Sequence, residues 1–167
     1  MQKEFIDVVN EHDEVVGVAE REELYTNLLK HRIVHVLIFN TKGEMALQMR
    51  SEHKSFCPHH WSTAVGGHVH QGETTEQAAV REFQEEMGVV VPFTFAFKDY
   101  YKDPHNPGLY KFITTYTCVY EGPFEINPLE VTEVRYFKLK ELRTLIKNGG
   151  KFHPELAYIL EKHYSKA

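Results

Sequence analysis

Between Gly67 and Val89 the chain carries residues at fixed intervals that dictate one local shape and restrict what can surround it. Five residues separate Gly67 from Glu73 and seven more separate Glu73 from Arg81; Glu82, Phe83, Gln84, Glu85, Glu86, Met87, Gly88 and Val89 follow without a gap. The pattern predicts a helix over 74–87 that stops at Gly88, a residue suited to the left-handed conformation that closes helices. On that helix Glu82, Glu85 and Glu86 stand at i, i+3 and i+4 and share a face. Val80, Phe83 and Met87, with Ala79 at the margin, make the opposite, apolar stripe, which has to dock on other structure. Ala78 lies on the glutamate side, where a small side chain leaves room for a ligand. Like charges at these spacings repel by roughly 0.2–0.5 kcal/mol per pair. A hard divalent cation offsets that cost, because magnesium favours carboxylate oxygens.

Glutamate-rich amphipathic helices are common and are usually just solvated. The full string is more restrictive: seven identities (Gly, Glu, Arg, Glu, Glu, Glu, Gly) at set spacing arise by chance about once in 10⁸ to 10⁹ starting points at average residue usage. Arg81 falls on neither face centre and is within reach of a carboxylate or a phosphate. Gly66-Gly67 lets the backbone pass close to a cation and offer it a carbonyl oxygen.

The rest of the chain reads as strands and helices without strict alternation. Strands are expected at 5–9 and 15–19, around a turn, and a helix at 20–29. The apolar run 33–39 suits a strand covered on both faces, and 44–50 is its expected hairpin partner across Asn40-Thr41-Lys42-Gly43. Residues 51–61 read as a surface loop, 63–65 as a strand stub, and 93–97, 111–120 and 134–139 as further strands. Helices are expected at 141–147 and 154–164. One α/β domain spanning 1–167, with a mixed sheet between helices, follows from this order.

The net charge of −5 over 167 residues provides no basic field for a nucleic-acid polymer. A small anionic substrate would need a local counter-charge. No apolar run reaches the roughly 18–20 residues of a membrane helix, and the first ten residues lack a signal-peptide core. Cys57 and Cys118 do not suggest a disulfide framework. A cytoplasmic protein, monomer or homodimer, is the expectation.

The string Gly67, Glu73, Arg81, Glu82, Phe83, Glu85, Glu86, Gly88 and Val89 resembles the Nudix box at every fixed position. The resemblance implies a loop–helix–loop within an α/β/α sandwich. It also implies Mg²⁺ or Mn²⁺ on Glu82, Glu85 and Glu86, with Arg81 and Glu73 fixing the box. The implied activity is hydrolysis of a nucleoside diphosphate linked to another moiety. Outside the box, residues 5–19, His31-Arg32, 54–61 and Gly66-Gly67-His68 look like the branch related to isopentenyl-diphosphate isomerases. Those isomerases place a cysteine where this chain has Gly66. Their second catalytic glutamate finds Lys111 as its nearest match; two of their metal-binding histidines match His31 and His68, but the more N-terminal one falls near Leu24. Isomerase chemistry is therefore the disfavoured rival. A non-catalytic nucleotide sensor is a second rival, against which the intact box speaks.

For hydrolysis, cations on the three glutamates would neutralise the diphosphate and acidify a water. A carboxylate not fully consumed by the cation would take the proton; Glu85, central on that face, is one candidate, and Glu130 and Glu133, after Asn127-Pro128, are others. His68, Lys54 and Arg50 are candidate substrate contacts, with Lys111 also able to meet a phosphate and His70 on the same side as His68. His53, Cys57, His59 and His60 share a loop, but their spacing matches no familiar zinc pattern. Trp61, Tyr100, Tyr101 and Tyr110 could stack on a base, although aromatics at such spacings more often fill a core.

Overall fold

The computed structural model describes residues 2–166. Strands β1 (Phe5–Val9) and β2 (Val15–Glu20) pair antiparallel as a two-stranded sheet of their own. Helix α1 (Arg21–Thr26) follows. It is shorter than the expected 20–29 because Leu28 turns to a left-handed φ of 54°. Leu29 then returns its N–H to Leu24 O, closing the helix early.

The main sheet has seven strands and is mixed. Strand β3 (His31–Phe39) runs at its centre, parallel to β8 (Tyr110–Val119) over nine paired positions. Antiparallel β7 (Thr94–Lys102) borders β8. On its other side β3 pairs with β6 (Val65–His68). Strand β4 (Met45–Arg50) meets β3 only at Phe39↔Met45. It pairs instead with β5 (Trp61–Thr63) and β9 (Val131–Phe137). The expected hairpin of 33–39 with 44–50 therefore closes at its turn and then splays, because β6 takes the pairing edge of β3 that β4 leaves. Gly66 and Gly67, expected after a strand stub, lie inside β6 opposite His35 and Val34.

The period-2 alternation of β3 separates two cores. Val34, Val36 and Ile38 face helix α2 (Thr75–Met87), joining Ala78, Ala79, Phe83 and Met87. Leu37 faces the other way, packing with Met45, Leu47 and Phe137 against α3 (Leu139–Lys147) and α4 (Pro154–His163) through Leu142, Leu156, Ile159 and Leu160. Helices thus cover both sheet faces, and the expected α/β/α sandwich with a mixed sheet is what the chain forms. Two details of α2 differ: Val80, expected in the docking stripe, is 44% exposed, and Ala78, expected to leave room for a ligand, is buried in the apolar core against the sheet. The buried face centres on Ala79 and Phe83 and includes Glu86, which rotates Val80 to the margin. No helix among the described residues is long and apolar enough to cross a membrane.

Candidate active site

Both ends of α2 are sequence-encoded. Thr74 caps the N-terminus through a reciprocal pair with Gln77, and Gly88 closes the C-terminus at φ 69°. A Cβ on Gly88 would lie 2.2 Å from Glu125 O, so the site demands glycine on two grounds.

This helix is carried against β6, and the contact between them makes the site. Glu86 is 3% exposed. Its Oε2 accepts the Gly66 N–H at 3.0 Å and its Oε1 accepts from Gln48 Nε2 at 2.9 Å. Burial pushes its carboxyl well above the ordinary range, and nearby Glu82 pushes it further. Glu82 is raised to about 7, again by burial, with Arg81 pulling the other way. Gly67 leaves space for Glu82: a Cβ there would stand 2.3 Å from the Glu82 carboxyl carbon. A Cβ on Gly66 would lie 2.8 Å from His35 Nδ1. The glycine pair is thus explained by side chains that press on the backbone from both sides.

Arg81 ties the helix to the preceding loop. Its Nε and Nη2 donate to the two oxygens of Glu73 at 2.9 Å each, Nη2 also reaches His68 O at 2.9 Å, and Nη1 donates to Glu82 at 2.7 Å. Such a planar fork suits a guanidinium and not an ammonium. A longer contact of 3.4 Å runs to Glu85, whose side chain is 54% exposed. The three glutamates are therefore unequal: Glu82 and Glu86 share the buried seam with β6, and Glu85 leans out beside Arg81. Among the described residues, no three His, Cys, Asp or Glu side chains are gathered around one point.

The other expected contacts lie around this seam. Lys54 pairs with Glu130 and is close enough to lower the carboxyls of both Glu82 and Glu86. Arg50 spends Nε and Nη2 on Phe56 O, at 3.0 and 2.8 Å. Glu133 is held by Arg135 at 2.5 Å. His68 Nε2 is 2.8 Å from Tyr25 OH, and its ring stacks on His31. Of the loop residues, His53 lies beside Glu52, His60 bonds Pro58 O, and Cys57 and His59 have positive φ. The expected base-stacking aromatics are otherwise engaged: Tyr100 stacks on Tyr110, while Tyr101 meets Tyr158 and Trp61 meets Phe137 edge-to-face.

Sequence reasoning missed a second buried set behind Gly66. His35 bonds Thr63 Oγ1 at 2.6 Å and Glu155 Oε1 at 2.8 Å. Lys111 joins Glu155 at 3.2 Å and Asp103 at 3.1 Å. Lys111, expected as a possible phosphate contact, is thus held between two buried carboxylates. Gln48 was also missed. Residues as far apart as 35 and 155 carry no local signal of their meeting.

A NUDIX domain model matches residues 29–158. The chain belongs to the Nudix hydrolase family. It is 33% identical over 140 residues to the Nudix hydrolase YfcD of Escherichia coli strain K12, covering 83% of this chain and 76% of that protein. The crystal structure of DR0079 from Deinococcus radiodurans superposes with a TM-score of 0.84 at 28% identity, covering 96% of this chain and 99% of that one. The NUDIX domain of Shewanella oneidensis NrtR, solved with ADP ribose, shares the fold at a TM-score of 0.58 and 18% identity, over 79% of this chain and 84% of that one. These relatives do not favour the isomerase reading; a Cβ on Gly66, where the isomerases carry their cysteine, would require His35 to shift.

Proposed function

We propose that this Nudix hydrolase cleaves the diphosphate bond of a nucleoside diphosphate linked to another moiety, using Mg²⁺ or Mn²⁺ on Glu82, Glu85 and Glu86 with the backbone at Gly66 and Gly67. The same reading takes 1–167 as a single Nudix domain. The observation that carries it is the pair Glu82–Glu86, one carboxyl buried and its neighbour partly buried, with the charged form of both disfavoured. An acidic pair of this kind is costly alone and is stabilised by a cation. The donor set fits a hard ion, being all oxygen. Gln48, whose Nε2 holds Glu86, also carries a buried Oε1 with no partner among the described residues.

When bound, the ion supplies charge neutralisation at the diphosphate and acidifies a water. The chain's own residues do the rest. Arg81 and Glu73 fix the helix against the loop, so the glutamates keep their places. Glu85, the most exposed of the three and the least tightly bonded, accepts the proton from the attacking water. Glu130 and Glu133 are occupied by Lys54 and Arg135. Lys54, with Glu130 keeping its hold on one of its N–H groups, turns another of its three toward a phosphate oxygen. Arg50 holds the 51–60 loop through Phe56, and His68 supports the site from beneath through Tyr25.

The test is a screen of nucleotide sugars, dinucleotides, nucleoside di- and triphosphates and coenzyme A with Mg²⁺ and Mn²⁺. Cation-dependent release of a phosphate product is expected. Glu86→Gln should lower turnover by about 10²–10³-fold, the range for losing one preorganised electrostatic contact, with the fold retained. An unchanged rate would overturn the assignment, and dimethylallyl diphosphate formed from its isomer would replace it with the isomerase reading.

A further inference from the structure

We propose that Gln48 is a positioning residue for the glutamate pair, setting the Glu86 carboxylate for the cation. The inference rests on the cation reading above and extends it to a residue outside the box. Because β4 splays from β3 after Phe39↔Met45, the side chain of Gln48 crosses the gap between β4 and the β5–β6 connection. Gln48 is 1% exposed. Its Nε2 donates to Ala64 O at 2.9 Å and to Glu86 Oε1 at 2.9 Å. Both amide protons are thereby used, and this decides the orientation of the amide: the two acceptors require the nitrogen, not the oxygen, to face them. With Gly66 N–H on Oε2, the Glu86 carboxylate is held by one donor on each oxygen, from two different strands.

The chemistry of position 48 is narrow. A carboxylate there would add a third buried anion, an ammonium would take the place of the cation, and an aliphatic chain would leave Glu86 free to turn. A neutral amide holds the carboxylate and leaves its charge available. The amide also presents Oε1, buried and without a protein partner among the described residues. Buried acceptors are nearly always satisfied, and magnesium retains part of its water shell in protein sites. A water carried by the ion is the donor that this oxygen suits. Partners that orient a metal ligand in this way are worth about 10–100-fold in metal affinity.

The experiment uses the full chain, ¹⁵N-labelled, titrated with Mg²⁺, with the Gln48 side-chain amide followed by NMR. Mn²⁺ affinity is measured by electron paramagnetic resonance for the unaltered protein and for Gln48→Met. The Gln48 amide signals should move with Mg²⁺ in step with those of Gly66 and Glu86. Gln48→Met should bind Mn²⁺ about 10–100-fold more weakly. A purely structural tie between strands would lower stability without moving the amide signals on Mg²⁺ addition. Stationary Gln48 signals while Gly66 and Glu86 respond would overturn the proposal, as would normal Mn²⁺ affinity in a folded Gln48→Met. If that variant does not fold, the Mg²⁺ titration of the unaltered protein decides alone. No response anywhere in the box, and no Mn²⁺ bound, would remove the cation reading and this inference with it, a result distinct from a silent Gln48 beside a responding Glu86.

Discussion

Single residues in this site are explained by what presses on them. Gly67 is a glycine because Glu82 lies against its backbone, and the absent Cβ is the space the carboxylate occupies. Gly67→Ala should therefore displace the Glu82 carboxyl, the far end of a flexible side chain, and disturb its bond to Arg81. The expected result is a folded protein about 1–3 kcal/mol less stable, the usual cost of overpacking, with Mn²⁺ affinity and turnover both sharply reduced. Denaturant titration and Mn²⁺ binding check the two halves separately; a variant with normal Mn²⁺ affinity would contradict the contact. Arg81 shows the same economy. One guanidinium satisfies both oxygens of Glu73, a backbone carbonyl and Glu82. The loop, the helix and the strand end at His68 are thereby fixed by one side chain.

The element that matters most is α2, and its stability comes from its ends and its buried stripe. Thr74 and Gln77 exchange hydrogen bonds at the N-terminus. Thr74→Ala removes that exchange and should cost about 1 kcal/mol. For a chain of this size the melting temperature should fall by about 2–4 °C, with the order of substrate preference unchanged, since Thr74 does not touch the seam. Calorimetry with a parallel activity assay reads both. Ala78 and Ala79 let the helix approach the sheet closely. That approach puts Glu86 inside the contact with β6, where a surface glutamate would not be.

Over the whole molecule, the buried polar groups set the response to pH. Burial lowers His31 to about 4 and His153 to about 4. In the unfolded chain both return to about 6.5. Between those values the unfolded chain binds more protons, so stability is full above pH 6.5 and is lost as pH falls through 4. Each histidine contributes up to roughly 3 kcal/mol of that loss by pH 4. Glu82, raised by burial, acts in the opposite sense. Comparing the unaltered protein with His153→Asn cancels this, because Asn keeps an acceptor for the Glu155 N–H that His153 Nδ1 now takes. Urea midpoints at pH 4.5, 5.5 and 6.5 should decline less steeply in the variant. Parallel curves would show that His153 is not held neutral.

What the chain determined on its own is local. Helix α2, its two ends, the glutamate spacing, the apolar run of β3 and the Nudix box are all readable because each depends on residues within a few turns or one strand. That Arg81 and Glu73 fix the box was implied by the resemblance alone; their direct pairing is seen only in the structure. Tertiary structure decided the rest. Nothing near Gln48 in the chain announces Glu86, and nothing near His35 announces Glu155; these meetings depend on β6 displacing β4 from β3, a competition between strands for one edge. The same packing made the three glutamates unequal. Helical periodicity placed them on a common face, but only docking on β6 determined that Glu86 is buried, Glu82 partly buried and Glu85 open to water, because burial depends on the partner surface and not on the helix that carries the residue.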